Sequence, residues 1–175
     1  PAGLLAHIDR VVALTDRLVA LHTLDVPLAR LMAQGHDLLR AVPDAELLAR
    51  AEARGLTVDP VERDVPVILH GPLGALELRD RFAIDDPRVL DAILWHTTGH
   101  PGYTAEAWAM FIADKVEPHK LERWPALQTV LDAARKMADL DVGSLPICGA
   151  DHRLMGMLTD RDIALRATAK GRDPD

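Results

Sequence analysis

Ionisable side chains recur within apolar stretches of this sequence, where an unpaired charge is costly. His36 and Asp37, for example, are adjacent in a stretch whose other positions are largely apolar. Such groups need a partner or a metal ion, and imidazoles and carboxylates are ligands that iron, manganese and zinc take. Taken singly, each such histidine is better explained as a core residue bonded to a carbonyl. A set of such groups on five helices, however, predicts one metal site. The candidate ligands are His7, His36, Asp37, His70, His96 and Asp114.

The elements that must position these residues are predicted to be helices. Apolar residues recur every three or four positions, as on amphipathic helices. Prolines stand where new helical patterns start, and Asp25, Asp85 and Asp86 precede two of these starts as candidate N-caps. The predicted helices lie near residues 4–22, 27–41, 43–53, 66–82, 87–97 and 104–115, with loops at 54–65 and 97–102. We therefore expect residues 1–124 to form an all-α domain.

The pattern changes after residue 124. A helix is predicted over 126–140, two short apolar runs at 144–148 and 154–158 predict a β-hairpin, and a last helix is expected over 160–170. Residues 125–175 are therefore expected to form a small α/β segment of helix, strand, strand and helix.

Composition limits the class of protein. The chain has 175 residues, of which 49% are hydrophobic and 27% charged, with a net charge of −7, which suits one domain plus a small module. The single cysteine, Cys148, excludes an internal disulfide and favours a reducing cytoplasm. No apolar run is long enough to cross a bilayer, and the negative charge disfavours general nucleic-acid binding. We therefore expect a cytoplasmic protein with neither membrane nor nucleic-acid partners; a small anionic substrate held by a metal remains compatible with the charge.

Three phrases in the first 124 residues carry a resemblance to a known family. They are Leu69–Ala75 (LHGPLGA), Trp95–Gly102 (WHTTGHPG) and Ala113–Pro118 (ADKVEP). With the order of the candidate ligands, they resemble the YqeK-type HD-domain metal-dependent phosphohydrolases over about residues 4–124. Those proteins are symmetrical diadenosine tetraphosphate hydrolases, which release two ADP. The resemblance implies an HD-domain helical bundle in residues 1–124 and a dinucleoside polyphosphate or another adenine nucleotide as substrate.

The same resemblance implies roles for the candidate ligands. His7, His36, Asp37 and Asp114 would hold one divalent metal ion, with iron expected and manganese as the alternative. His70 and His96 would complete a second metal site or contact the phosphate, with Asp37 bridging the two sites and orienting the hydroxide. A metal-bound hydroxide would attack phosphorus and expel ADP, so that no protein nucleophile is required.

Basic and aromatic residues near these phrases suggest how substrate is held. Arg40 and His100 are candidates for binding phosphate, although Arg40 is equally well explained as a solvated cation at a helix end and His100 as a plain loop residue. Trp95, Tyr103 and Trp108 have residue types that stack on adenine, but aromatic residues at helical spacing more commonly belong to a core.

Residues from about 130 to 174 resemble the second half of a CBS motif. The phrases are Ala134–Asp139 (ARKMAD), Val142–Ile147 (VGSLPI) and Gly156–Ile163 (GMLTDRDI). In CBS pairs, a Thr-x-x-Asp sequence contacts a nucleotide, which here implies Thr159 and Asp162; both residues are also what a helix N-terminus favours. Only half of a CBS module is present, which would leave apolar surface uncovered. We therefore expect either a homodimer that forms through this tail or partial disorder of the tail.

Two other functions remain open at this point. One is a catalytically impaired protein that senses adenine nucleotides or acts as a scaffold, and the other is a di-iron oxygenase, since some HD proteins use this ligand order with iron for oxidation.

Overall fold

The computed structural model describes residues 2–124, 128, 132, 144–148 and 154–159. The chain forms two compact units, residues 1–114 and 115–175. The helices are α1 (Ala2–His22), α2 (Val26–Gly35), α3 (Asp44–Ala53), α4 (Pro60–Asp64), α5 (His70–Phe82), α6 (Pro87–Trp95), α7 (Ala105–Val116) and α8 (Pro118–Arg123), with a 3₁₀ helix at Pro66–Leu69 before α5. The strands are β1 (Ser144–Cys148) and β2 (Leu154–Thr159). The all-α prediction for the HD-like part is therefore confirmed over the residues described there.

Carboxylates cap helices α2 and α6 at positions that the sequence predicted as N-caps. An oxygen of Asp25 accepts a hydrogen bond from the backbone N–H of Leu28 at 3.1 Å, and Asp86 accepts one from Arg88 at 2.9 Å. These bonds satisfy backbone donors that a helix N-terminus leaves unpaired. The caps fix where α2 and α6 begin.

The predicted helix over 27–41 is wrong beyond Gly35. Residues 36–42 form successive turns, in which the N–H of Leu38 donates to Gly35 O and that of Arg40 donates to Asp37 O. Glycine is a poor helix former, and Leu78 Cδ1 lies only 3.0 Å from where a Cβ on Gly35 would stand. Pro43 also disfavours helical geometry at the residue before it. The early end leaves His36 and Asp37 in a turn.

The predicted loop over 54–65 is wrong in its second half, because Pro60–Asp64 is helical. Asp59 and Glu62 form a capping box, in which each side chain accepts a hydrogen bond at 2.9 Å from the other residue's backbone N–H. The pattern Asp-Pro-x-Glu is visible in the sequence and is typical of a helix start.

The other helices of the first unit lie close to their predicted bounds. The predicted 66–82 segment divides at His70 into a 3₁₀ helix and α5, and α6 ends at Trp95 rather than at residue 97. One core cluster contains Val11, Met32, Ile93 and Met110. A second cluster packs α3 against the segment that leads into α5.

Helices α5 and α6 approach each other closely at Gly71. A Cβ on this residue would lie 2.8 Å from the backbone oxygen of Leu94 and 3.2 Å from that of Ile93. Such distances are shorter than van der Waals contact, so only glycine permits this approach. The contact brings the start of α5 to the end of α6.

The second unit is described only in part. Glu117 caps α8 by accepting a hydrogen bond from the backbone of His119 at 3.0 Å. Strands β1 and β2 pair antiparallel, with Ser144 opposite Thr159 and an irregularity at Ile147/Cys148, at the two places where the sequence predicts strands. Gln128 and Asp132 are helical, whereas the remainder of the predicted helix over 126–140, the predicted helix over 160–170, and Asp162 lie outside the described residues.

None of the helices in the described ranges is both long and apolar enough to span a membrane.

Candidate metal centre

The structure brings the predicted ligands together inside the first unit. The six ligands come from five parts of the helical bundle, and all but half-buried His7 are buried. His7 lies on α1, His36 and Asp37 directly follow α2, His70 begins α5, His96 follows α6, and Asp114 lies near the end of α7.

One group of donor atoms gathers around one oxygen of Asp37. Nε2 of His7 lies 3.1 Å from Asp114 Oδ1 and 3.6 Å from Asp37 Oδ2. Nε2 of His36 lies 3.6 Å from Asp37 Oδ2 and 3.7 Å from Asp114 Oδ1. Two imidazole nitrogens and two carboxylate oxygens thus surround one point.

A second group gathers around the other oxygen of Asp37. Nε2 of His70 lies 3.1 Å from Asp37 Oδ1, and Nε2 of His96 lies 3.5 Å from the same atom. The two imidazole nitrogens are 2.8 Å apart. Asp37 therefore presents one oxygen to each group, which is the arrangement of a carboxylate that bridges two ions.

Hydrogen bonds to helix carbonyls orient the three most buried imidazoles. Nδ1–H of His36 donates to Ala33 O at 2.8 Å, that of His96 donates to Ile93 O at 2.7 Å, and that of His70 donates to Val67 O. A carbonyl can only accept, so Nδ1 carries the proton and, in a neutral ring, Nε2 carries a lone pair. Each lone pair points into the centre.

These lone pairs require a cation between them. The Nε2 atoms of His70 and His96 are too close for two facing lone pairs without a proton or a metal ion to join them. Nε2 of His36 is buried and has no hydrogen-bond partner within the described part of the chain, and such an orphan polar atom is costly. One ion beside His36 and a second beside His70 and His96 would satisfy these nitrogens.

Electrostatics favour ligands in their metal-binding protonation states. Burial raises the pKa of the Asp37 carboxyl, but the neighbouring imidazoles of His70 and His96 outweigh it and hold that pKa well below its usual range. Burial also lowers the pKa of His96 to about 4, despite the neighbouring Asp37 carboxylate. For His36, burial lowers the pKa of the ring, but the nearby carboxylate of Asp114 outweighs it and raises that pKa. Asp37 is therefore ionised and His96 neutral near pH 7.

The donor set fits first-row divalent metals. Metal bonds of about 2.1 Å to nitrogen or oxygen place neighbouring ligand atoms roughly 3.0–3.4 Å apart for octahedral to tetrahedral angles. The closest separation between donors of the first group is 3.1 Å and that of the second is 2.8 Å. The two sets that can each hold an ion are His7–His36–Asp37 and Asp37–His70–His96. Nitrogen and oxygen ligands without thiolate suit iron, manganese or zinc.

The predicted phosphate-binding residues lie outside this cluster. Arg40 is exposed, and its backbone N–H donates to Asp37 O at 3.0 Å, which places it one turn beyond the centre. His100 stacks on Trp95 with ring centroids 5.7 Å apart, and its Nδ1 accepts a hydrogen bond from Gly102 N–H at 3.3 Å. Nδ1 of His100 also lies 3.6 Å from Asp91 Oδ2. Both phosphate-binding roles remain predictions.

The aromatic candidates divide into core and surface. Tyr103 is buried and packs edge-on against Trp108 with centroids 5.4 Å apart, and Phe111 joins them at 6.2 Å from Tyr103. The hydroxyl of Tyr103 donates to Ala92 O at 3.1 Å. By contrast, 41% of Trp95 is exposed. The core interpretation thus describes Tyr103 and Trp108 but not Trp95.

Two features of the centre were missed in the sequence. The carbonyls of Ala33, Val67 and Ile93 each stand three residues before a ligand histidine, and that spacing at a helix end was a usable signal. The second lies beside a ligand in the sequence. The hydroxyl of Thr97, which directly follows His96, is buried and lacks a hydrogen-bond partner among the described residues, and no sequence pattern indicates this.

Comparison with known proteins divides the chain at the same point as its sequence patterns. The HD-domain family model matches residues 4–119, and the CBS-domain model matches residues 125–167. A Bacillus subtilis (strain 168) protein named symmetrical bis(5'-nucleosyl)-tetraphosphatase is 34% identical over 77 residues, which cover 44% of this chain and 38% of the relative. Hypoxic response protein 1 of Mycobacterium tuberculosis (strain H37Rv) is 54% identical over 48 residues, which cover 27% of this chain and 34% of the relative. Each match therefore spans little more than a third of the curated relative.

A solved structure shows the same fold. It is the crystal structure of a protein described as a predicted HD superfamily hydrolase involved in NAD metabolism from Clostridium acetobutylicum, with a TM-score of 0.62 and 22% sequence identity. The likeness covers 96% of this chain and 89% of that chain.

Proposed function

Because the chain belongs to the HD-domain family, whose model matches residues 4–119, we propose that it is a metal-dependent hydrolase that cleaves diadenosine tetraphosphate to two ADP. The observation that carries the proposal is Asp37, whose two oxygens each face a separate group of imidazoles. Relatives named symmetrical bis(5'-nucleosyl)-tetraphosphatase, at 34% to 38% identity, support the choice of substrate.

We assign the candidate ligands to two metal ions according to the two groups of donor atoms. His7, His36, Asp37 and Asp114 would hold one ion, and His70 and His96 would hold a second ion together with Asp37. We take iron as the expected metal and manganese as the alternative. Divalent ions at such a site lower the pKa of bound water towards neutrality and offset charge that builds on phosphoryl oxygens.

Water is the proposed attacking group. Residues 1–124 contain neither serine nor cysteine, so the two side chains most used as nucleophiles are absent from the HD-like part of the sequence. Asp37 is ionised, because the neighbouring imidazoles lower the pKa of its carboxyl. Its carboxylate would accept a hydrogen bond from the attacking water and orient it towards phosphorus.

Exposed cationic groups beyond the centre would hold the remaining phosphate charge. Arg40 is exposed in the turn that directly follows Asp37. A guanidinium can bind phosphate through two parallel hydrogen bonds. In the proposed complex, Arg40 neutralises the part of the polyphosphate chain that the ions do not reach.

The test is incubation of the metal-loaded protein with diadenosine tetraphosphate, followed by separation of the nucleotides. ADP is the expected sole product, and the variants His36→Ala and Asp37→Ala should lose both bound metal and activity. His22→Ala is the matched control, since His22 is an exposed histidine at the end of α1. A protein that holds its metal and releases no ADP would refute the proposal. Full activity with redox-inert zinc would in addition exclude an oxygenase.

A second candidate function rests on the CBS-domain match to residues 125–167. In this version the chain senses adenine nucleotides through Thr159 and Asp162, with catalysis impaired. AMP binding that survives removal of the metal and disappears in Asp162→Ala would support it. Binding unchanged by that substitution would argue against it.

A further inference from the structure

An aromatic pair lies on the surface beside the metal centre. The rings of Trp95 and His100 are nearly parallel, with 15° between their planes and 5.7 Å between their centroids. They remain accessible, since 41% of Trp95 and 39% of the His100 side chain are exposed. We call these two residues the Trp95–His100 pair.

Local contacts hold the pair in place. Gly102 donates its backbone N–H to Nδ1 of His100 at 3.3 Å, and a Cβ on Gly102 would lie 2.9 Å from His100 Cε1. The ring of Tyr103, which belongs to the core, lies 6.1 Å from that of His100. The pair is therefore a preorganised flat surface, and its exposure is not explained by packing.

The position of the pair relates it to the metal centre. Trp95 is the last residue of α6 and directly precedes His96, whose Nε2 faces Asp37. Consecutive Cα atoms are about 3.8 Å apart, so the backbone of the exposed Trp95 lies directly beside that of a buried candidate ligand. This adjacency makes the pair a candidate for contact with the part of a ligand that extends from the centre.

We propose that the Trp95–His100 pair is the base-binding surface of the site, where a purine ring stacks on the exposed indole. This inference rests on the proposed function for the phosphate end of the ligand. It assigns the base end to two residues outside the metal ligands. Stacking on aromatic side chains is tolerant of base identity, so the pair would favour nucleotides over base-free sugar phosphates more than it would distinguish adenine from guanine.

The test compares AMP with ribose 5-phosphate, which lacks the base, by equilibrium dialysis against the full chain in the presence of Mn²⁺. Wild-type protein should bind AMP at least about tenfold more tightly, since base stacking contributes roughly that factor or more. Trp95→Leu should bring the two affinities close together by weakening AMP alone. Trp95→Phe, which keeps a ring, should lie between them, and His100→Leu should weaken AMP in the same direction.

Phe82→Leu is the matched control, because Phe82 is also an exposed aromatic at the end of a helix, with 53% exposure. It should leave both affinities unchanged. Equal binding of the two ligands by wild type, or a preference for AMP that survives Trp95→Leu, would overturn the inference; the second result would indicate a base site elsewhere. If the preference depends on Trp95 but no diadenosine tetraphosphate is cleaved, the base surface stands and the proposed hydrolase activity fails.

Discussion

Replacing Gly71 with alanine tests whether the close contact between α5 and α6 builds half of the metal centre. The new Cβ would meet the backbone oxygen of Leu94 at 2.8 Å, and a backbone atom cannot move aside as a flexible side chain can. Ordinary contact requires about 3.4 Å, so the two helices must separate by roughly 0.6 Å at this point. Overpacking of this kind costs about 1–3 kcal/mol, against a gain of up to about 1 kcal/mol from replacing glycine in a helix.

The separation acts directly on the second group of ligands. His70 precedes Gly71, and His96 lies two residues after Leu94, so parting the helices widens the 2.8 Å gap between the two Nε2 atoms. We expect Gly71→Ala to lower the free energy of unfolding by about 1–2 kcal/mol and to weaken binding of the second ion. Binding by His7, His36 and Asp114 should change little, because none of these residues lies on α5 or α6.

The assays are urea unfolding of the metal-free protein and titration with Mn²⁺ followed by metal analysis. Gly74→Ala is the matched control on the same helix. Its Cβ would lie 3.5 Å from Ile93 Cγ2, which is ordinary contact, so this variant should be as stable as wild type or up to about 1 kcal/mol more stable. Equal stability and equal metal content in the two variants would refute the view that the Gly71 contact holds His70 against His96.

Three further predictions concern the centre and its surroundings. Burial lowers the pKa of His96 from 6.5 to about 4, so the ring binds a proton at higher pH in the unfolded chain than in the folded protein. Between pH 6.5 and 4, the free energy of unfolding of the metal-free wild type should therefore fall by about 3 kcal/mol more than that of His96→Asn. Urea unfolding that shows the same pH dependence for the two proteins would contradict this. Thr15→Val should raise the free energy of unfolding by about 1 kcal/mol, because the Thr15 hydroxyl is buried with no partner among the described residues, whereas Thr15→Ser should give no gain. His70→Gln should reduce the bound Mn²⁺ to one ion per chain by metal analysis, while Asp37→Ala removes the shared ligand and should leave none; equal metal content in the two variants would count against a bridging role.

The ligand residues could be predicted because their chemistry conflicts with their surroundings. His36, His70 and His96 interrupt apolar helical patterns, and their conflict with those patterns is visible without coordinates. The cap residues Asp25 and Asp86 were equally visible, because capping is local. The structure brings these ligands together as expected, although their metal-binding role is still a prediction.

What the sequence did not reveal depends on contacts between distant residues. A Cβ on Gly35, the last residue of α2, would lie 3.0 Å from Leu78 Cδ1 of α5, and no local pattern records that neighbour. The division of Asp37 between two groups of ligands depends in the same way on how α5 and α6 meet. By contrast, the capping box at Asp59 and Glu62 is a local signal that is visible in the sequence.

Three of the candidate ligands lie at helix ends, and this restricts where residues can be inserted or deleted. His36, His70 and His96 each stand at the first position past a helical segment, with Nδ1 bonded to the carbonyl three residues earlier. One inserted residue in the preceding turn would rotate the ligand by about 100° around the helix axis and carry it out of the centre. Insertions and deletions accepted during evolution should therefore avoid α2, α6 and the turn before α5. They should accumulate in segments such as 54–58, which carry no ligand.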